Sequence, residues 1–193
     1  MTNAEGNAAR RAEIVFVVQA TTRSQLRAAF PDADDELAPA GRELCRRSSL
    51  RPGRHEVLSA PGRPCAQTVA ALGWDEPRVV PKLHDPGAGE WAGREVSSLS
   101  EADLARWRAG EAPPGGESFG EVCARVADVA RSLPGGRYIA VVPQAVVRAA
   151  VLTALGLPVA SIWNVDAEPL AVVGVSRRPD GSLRLRLVSG VGA

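Results

Sequence analysis

The side chains that most often carry chemistry are scarce in this sequence. It contains two histidines, His55 and His84, and three cysteines, Cys45, Cys65 and Cys123. No pair of cysteines has C-x-x-C spacing and their number is odd, so the sequence predicts neither a disulfide framework nor a structural zinc site. Two histidines are also few for a catalytic metal centre. We therefore expect neither a metal nor a cofactor.

Glutamines stand at the ends of two apolar segments. Residues 13–19 read E-I-V-F-V-V-Q and residues 138–142 read Y-I-A-V-V, and both runs are typical of strands buried on both faces. Gln19 ends the first run, and Gln144 follows the second closely. Ligands of open α/β sheets bind outside the carboxyl ends of the strands. The loops after Gln19 and Val142 are therefore the expected functional positions.

Helical patterns alternate with the strands. Helical spacing is found at residues 39–49, 65–72, 99–107, 118–132 and 146–155. Ser118 and Glu121 form a capping box at the start of one of these helices. Further strands are predicted at 55–59, 170–175 and 183–188, and the last two form a hairpin around a turn at 177–181. The alternation predicts one α/β domain with a mainly parallel sheet over residues 13–193, after a disordered tail at 1–12.

Several short segments follow one another in a recognisable order. They are Val18-Gln19-Ala20 with Thr22 and Gln25; residues 37–45 around Gly41; the stretch 59–68, which reads S-A-P-G-R-P-C-A-Q-T; Leu83 and Asp85 followed by Gly89, Trp91 and Gly93; P-G-G-E-S at 114–118; and Pro143-Gln144-Ala145 with Val147 and Arg148. Together they resemble the phosphoglycerate mutase-like histidine phosphatases over about residues 13–188. The resemblance implies that family's three-layer α/β/α sandwich.

The chain departs from the family where phosphate is handled. The family places Arg-His at the end of the first strand, another arginine in the motif that corresponds to residues 59–68, and a second histidine after a later strand. Val18 and Gln19, Pro64, and Gln144 occupy these places here. A carboxamide nitrogen is a poor nucleophile because its lone pair is delocalised, and without guanidiniums the clamp on the phosphoryl oxygens is lost. We therefore expect no phosphatase activity, and we do not expect His55 or His84 to restore it.

The resemblance implies a pocket of nine residues. Its catalytic candidates are Asp85, Gln19 and Gln144, and its substrate-binding candidates are Val18, Ala20, Thr22, Ser59, Arg63 and Ala145. With little positive charge nearby, burial would raise the pKa of Asp85, which suits a general acid or base near neutral pH. The glutamines would orient a carbonyl, hydroxyl or amide. The prediction is a repurposed enzyme for dehydration, cyclisation or isomerisation of a small, largely uncharged metabolite, as in a biosynthetic pathway.

Structural explanations remain open for the same residues. Gln19 and Gln144 could hydrogen-bond each other in an inactive site, and Asp85 could be a surface or turn-capping carboxylate. Thr22 and Ser59 could bond only their own loops. On that interpretation the chain is a catalytically silent pseudophosphatase that acts as a binding or regulatory module.

Other residues near these motifs have structural explanations too. Arg63 is expected as a solvated side chain at a helix start, and Arg148 as an ion-pair partner. Cys65, near a helix N-terminus, has either a lowered pKa or the inert character of a buried thiol. Trp91 and Trp107 are expected to be packing residues.

Composition limits the classes of partner. The chain has 193 residues, of which 45% are hydrophobic and 23% charged, with a formal net charge of +1. This balance is typical of one globular domain and predicts no nucleic-acid or membrane partner. The N-terminus has no apolar stretch of signal-peptide length. We expect a cytoplasmic monomer or homodimer that binds a small molecule.

Overall fold

The computed structural model describes residues 11–188, and its centre is a six-stranded sheet. The strands are β1 (Ala12–Val18), β2 (Glu56–Ser59), β3 (Arg78–Val79), β4 (Gly136–Val142), β5 (Val172–Arg177) and β6 (Leu183–Arg186), in the order β3-β2-β4-β1-β5-β6. The first four in that order are parallel, whereas β5 and β6 are antiparallel to their neighbours. The predicted α/β class and the mainly parallel sheet are confirmed.

Six α-helices are present in the described part of the chain. They are α1 (Arg23–Leu26), α2 (Pro39–Arg47), α3 (Arg63–Ala71), α4 (Glu101–Arg108), α5 (Phe119–Ser132) and α6 (Gln144–Leu155), with shorter 3-10 helices at Pro81–Leu83, Gly89–Trp91, Val96–Ser98 and Val159–Asn164. No described helix is long and apolar enough to cross a membrane.

The predicted elements are found within about two residues of their expected bounds. The loop expected after Gln19 contains a short helix in addition, because α1 begins at Arg23. Its start is fixed by a capping box in which Thr22 accepts from the N–H of Gln25 and the Gln25 side chain accepts from the N–H of Thr22. The predicted tail lies outside the described residues except for its last two, and Ala12 already belongs to β1.

The core is built around β1 and β4. Five consecutive residues of β1, from Ile14 to Val18, are buried, although successive side chains of a strand point to opposite faces. Both faces of the sheet are therefore covered, as the predicted three-layer arrangement requires. Helices α5 and α6 pack on each other and contact β5, while α3 packs against β2 and β4.

Two glycine-containing loops meet beside the carboxyl ends of these strands. The N–H of Glu117 donates to the carbonyl of Gly87 at 2.9 Å, and the N–H of Glu90 donates to the carbonyl of Pro114 at 2.9 Å. Gly89 has a φ of +53°, and a Cβ there would lie 2.1 Å from the carbonyl oxygen of Pro114. Only glycine permits this approach, which holds the loop after Asp85 against the segment before α5.

Candidate functional site

Gln19 and Gln144 lie side by side at the ends of two paired strands. β1 and β4 run parallel with Val18 opposite Val142, and the N–H of Gln19 donates to the carbonyl of Val142 at 2.8 Å. Gln144 is the first residue of α6. The register of the central sheet therefore brings the two predicted carboxamides to one edge.

The two carboxamides are held by other groups rather than by each other. Oε1 of Gln19 accepts from the thiol of Cys65 at 3.0 Å, and Nε2 of Gln144 donates to the carbonyl of Ala167 at 2.7 Å. Nε2 of Gln19 and Oε1 of Gln144 remain available to the cavity that both residues line. The expected alternative of a closed Gln19–Gln144 pair is therefore wrong, since each amide keeps one polar atom for a ligand.

Asp85 contributes a carboxyl group to the same cavity. It is half-buried and follows the 3-10 helix Pro81–Leu83. Burial raises its pKa from 3.8 to about 7; Arg125 opposes this shift, whereas Asp35 and Glu117 add to it. Within residues 11–188 no group donates a hydrogen bond to its carboxylate. Asp85 can therefore gain and release a proton near neutral pH, as a general acid or base does.

Two further carboxylates border the cavity. Glu117 is paired with Arg125 through both oxygens, with Nε–Oε1 and Nη2–Oε2 distances of 2.7 and 2.9 Å. Asp35 is 6% exposed, and its Oδ1 accepts from the N–H groups of Ser24 and Glu36 at 3.1 and 3.0 Å. Both acids lie close enough to Asp85 to raise its pKa. The site thus groups three acidic side chains, Asp35, Asp85 and Glu117, which disfavours an anionic ligand.

Part of the cavity lining is aromatic. The volume of the whole cavity is about 210 Å³. Phe30, Trp107, Phe119 and Trp163 line it, and we call these four rings the aromatic wall. Neighbouring rings have centroids 4.6 to 5.9 Å apart, with Trp107 in contact with the other three. The wall suits the apolar body of a small molecule.

Arg148 is the cation of the cavity lining. Its Nε donates to the carbonyl of Val165 at 2.9 Å, and its guanidinium lies 5.4 Å from the centroid of the Trp163 ring. Burial lowers its pKa, which Asp166 partly offsets. Arg148 thus contacts the carbonyl of Val165 and the ring of Trp163 instead of forming the expected ion pair. It also lines the cavity, which the sequence did not indicate.

Five of the nine predicted site residues line the cavity. These are Gln19, Thr22, Asp85, Gln144 and Ala145. Thr22 is nevertheless committed to its own helix, because its hydroxyl caps α1.

The other four predicted residues lie outside the lining, which corrects the expected pocket. Val18 and Ala20 are buried in the hydrophobic core, and Ser59 is buried with its hydroxyl donating to the carbonyl of Ala60 at 2.8 Å. Arg63 is exposed at the start of α3, as expected of a solvated arginine. Sequence order placed these residues near the site, but three of them are buried away from the cavity and Arg63 is exposed to solvent.

Neither histidine contributes to the cavity. Nδ1 of His55 lies 2.8 Å from the carbonyl oxygen of Pro52, and Nδ1 of His84 lies 2.7 Å from the carbonyl oxygen of Asp85. His84 is exposed and lies 4.0 Å from a carboxylate oxygen of Glu117. In the described range 11–188, no group of three or more His, Cys, Asp or Glu residues could hold a metal ion.

Comparison with protein families assigns the fold. The sequence profile of the histidine phosphatase superfamily (branch 1) matches residues 21–189. The chain belongs to the histidine phosphatase superfamily. A search of curated proteins found no match. Within this histidine phosphatase fold, the profile match begins two residues after Gln19, so it does not include the carboxamide at the end of β1.

Several solved structures share this architecture. A structure described as mycobacterial hydrolase 1 is 24% identical, with a TM-score of 0.71, and the match covers 94% of this chain and 99% of that one. A mycobacterial glucosyl-3-phosphoglycerate phosphatase is also 24% identical, with a TM-score of 0.69 and coverage of 92% and 98%. A mutant phosphoserine phosphatase from Entamoeba histolytica, solved with phosphoserine, is 15% identical, with a TM-score of 0.74 and coverage of 94% and 98%. At these identities the likeness concerns the fold.

Proposed function

We propose that this histidine phosphatase-fold protein does not transfer phosphoryl groups but uses its cavity for acid/base chemistry on a small metabolite. The reaction class is dehydration, cyclisation or isomerisation, as in a biosynthetic pathway. One observation carries the proposal: the Asp85 carboxyl, with a pKa of about 7, lines the same cavity as Gln19 and Gln144. A proton donor and acceptor and two orienting amides thus share one enclosure.

Each part of the site has a role in such a reaction. Asp85 exchanges a proton with the substrate, because its pKa lies near the working pH. The free amide atoms of Gln19 and Gln144 bind a carbonyl or hydroxyl beside the reacting carbon. The aromatic wall holds the apolar part of the substrate and excludes water, which strengthens the polar contacts.

Charge argues against the chemistry of the phosphatases in the same superfamily. Asp35, Asp85 and Glu117 line the cavity, and a phosphate monoester would bring further negative charge to them. Among residues of the lining, Arg148 is the cation, and its Nε is already bonded to the carbonyl of Val165. We therefore expect hydrolysis of p-nitrophenyl phosphate at the background rate.

A generic proton-transfer probe tests the proposal without a known substrate. Nitrobenzisoxazole loses its ring C–H proton to a base while its N–O bond breaks, which gives a nitrile and a coloured phenolate. We expect the protein to accelerate this reaction with a rate that rises through about pH 7, as Asp85 becomes a carboxylate. Asp85→Asn should abolish the acceleration, and Asp34→Asn, an exposed acid nearby, should retain it.

The same assays define what would overturn the proposal. Acceleration that survives Asp85→Asn removes Asp85 from the chemistry. No acceleration, in a protein whose cavity binds small molecules, favours the silent binding module instead. Hydrolysis of p-nitrophenyl phosphate well above the background rate would show that the protein is a phosphatase.

A further inference from the structure

The cavity holds more negative than positive charge at its polar side. Three of its lining residues are acids, Asp35, Asp85 and Glu117, and only Glu117 has a guanidinium partner in the described chain. Oδ1 of Asp35 is occupied by two backbone N–H groups, which leaves its second oxygen without a bonded partner. This side of the cavity therefore attracts a cation.

A buried hydroxyl next to these acids lacks a partner. Ser24 is 1% exposed and lines the cavity, and its backbone N–H is bonded to Asp35. Its Oγ makes no hydrogen bond within residues 11–188. A buried hydroxyl without a partner is costly, and a ligand donor such as an ammonium N–H would satisfy it, as would a ligand acceptor. This observation is independent of the acids and points to the same part of the cavity.

The aromatic wall suits the remainder of such a ligand. The electron-rich faces of Trp and Phe attract cations, and Trp163 already carries the guanidinium of Arg148 at 5.4 Å. The volume of about 210 Å³ limits the ligand to a compact molecule. In the described part of the chain these acids do not form a group that could hold a metal ion, which leaves an organic cation as the matching class.

We propose that the cavity binds a compact organic amine in its protonated form, with the ammonium group beside Asp35, Asp85 and Ser24 and the apolar body on the aromatic wall. The inference rests on the proposed function in placing the ligand in the same cavity. It replaces the expectation of a largely uncharged metabolite, because the sequence did not reveal Asp35, Glu117 or Ser24 as neighbours of Asp85.

Amine binding is expected to depend on pH through Asp85. The groups near this carboxyl are Asp35, Glu117, Arg125 and Cys65; Arg148 lies elsewhere in the cavity lining, and His84 lies outside the lining beside Glu117. An ammonium group favours the carboxylate form, so binding releases a proton below about pH 7. Affinity for an amine should therefore rise from acid to neutral pH and then level off, while affinity for a neutral analogue should not.

Isothermal titration of the full chain with four probes of one shape tests the inference. The probes are phenethylamine, phenethyl alcohol, phenylacetate and phenyl phosphate. Because an ammonium group beside a partly buried carboxylate gains roughly one power of ten in affinity, we expect phenethylamine to bind about tenfold more tightly than the alcohol. The two anions should bind more weakly still.

Variants at Asp35 locate the charge preference. Asp35→Asn keeps an acceptor oxygen for the N–H groups of Ser24 and Glu36, so it should fold and lose most of the preference for the amine. Ser24→Ala, which removes the unpartnered hydroxyl, should weaken amine binding more than alcohol binding, because an ammonium donates the stronger, charge-assisted hydrogen bond. Asp34→Asn neutralises an exposed acid next in the sequence and should leave the preference intact.

Outcomes of this titration are separable from those of the proton-transfer assay. The inference is overturned if amine and alcohol bind equally, if either anion binds more tightly than the amine, if the preference for the amine survives Asp35→Asn, or if the amine does not bind. An amine preference without Asp85-dependent proton transfer retains the inference and removes the catalytic proposal. Proton transfer without an amine preference retains the catalytic proposal and removes the inference.

Discussion

The thiol of Cys65 donates a hydrogen bond of 3.0 Å to Oε1 of Gln19. This bond joins α3 to the end of β1 and occupies Oε1 of a residue that lines the cavity. Burial raises the pKa of Cys65 well above 9.0, and the nearby charge of Asp85 raises it further. The position of Cys65 near the start of α3 is thus outweighed by its burial, and the thiol is a structural donor rather than a nucleophile.

Cys65 should resist alkylation in the folded protein. Because burial raises the pKa of the Cys65 thiol and also shields it from the reagent, we expect iodoacetamide to modify Cys65 much more slowly in the native than in the unfolded chain. Mass spectrometry of peptides after timed labelling, with and without denaturant, measures this ratio. Labelling of native Cys65 as fast as the half-buried Cys123 would contradict the buried, bonded thiol.

Protonation of Asp85 should make stability depend on pH. Its folded pKa of about 7 exceeds the ordinary value of 3.8, so its contribution is full below about pH 4 and is lost as pH rises through about 7. The unfolding free energy of the wild type should fall relative to that of Asp85→Asn by on the order of 3 kcal/mol over this range. Urea unfolding of both proteins at several pH values measures the difference. If the difference in unfolding free energy between the two proteins stays constant with pH, the Asp85 carboxyl is solvated and keeps its ordinary pKa.

The ion pair of Glu117 and Arg125 should stabilise the folded protein more than a surface ion pair does. Both side chains are largely buried, and Arg125 also donates to the carbonyl of Lys82 at 2.7 Å. Glu117→Ala or Arg125→Ala should each cost about 3 kcal/mol, because either change leaves a buried charge without a partner. The double variant should cost less than the sum, and denaturant unfolding of the cycle measures the coupling.

An exposed pair provides the control for this cycle. Arg106 and Asp103 on α4 form an ion pair at 2.6 Å, with Arg106 mostly exposed. The same cycle there should give a coupling of less than about 1 kcal/mol. Equal coupling in the two cycles would show that burial adds nothing to the Glu117–Arg125 pair.

The contact between the Asp85 loop and the segment before α5 should tolerate no side chain at residue 89. In Gly89→Ala the new Cβ would lie 2.1 Å from the carbonyl oxygen of Pro114, so we expect a loss of about 3 kcal/mol or more and displacement of the loop. Gly115→Ala is a matched control, since Gly115 also has a positive φ of +67° but open space around it. That variant should lose only about 1–2 kcal/mol. Similar losses in urea unfolding would contradict a close contact at Gly89.

Much of the fold could be predicted from local sequence patterns. The apolar runs of β1 and β4, the Ser118–Glu121 capping box and the motif order each report on neighbouring residues, and the structure confirms the elements they predict. The short helix α1 was missed because its signal, the Thr22–Gln25 capping box, is not followed by an apolar helical pattern. The two residues of β3 likewise have no pattern of their own.

The site could be predicted only where a motif marked it. Gln19, Asp85 and Gln144 follow strands or motifs, and the structure brings them to one cavity. Asp35 stands among other acids at residues 32–36, and nothing in the sequence distinguishes the one that folds inward. Glu117 could have been found from the P-G-G-E-S segment, where a charged residue lies between tight turns and a helix cap. Asp35 and Glu117 both reach the cavity through contacts between segments that are far apart in the sequence, and sequence spacing does not reveal such contacts.

The residues that line the cavity come from two kinds of segment, which differ in how freely they can be substituted. β1 is hydrogen-bonded along both edges, to β4 and to β5, and Gln19 continues directly from it. Asp85, Phe30 and Glu117 instead lie on segments that connect strands and α-helices. Altered selectivity is therefore reached most easily by replacing side chains on these connecting segments, while β1 is inherited with the scaffold. Redesign of the ligand preference should start with residues 28–31 and 86–88 and leave Gly89 and the strands unchanged.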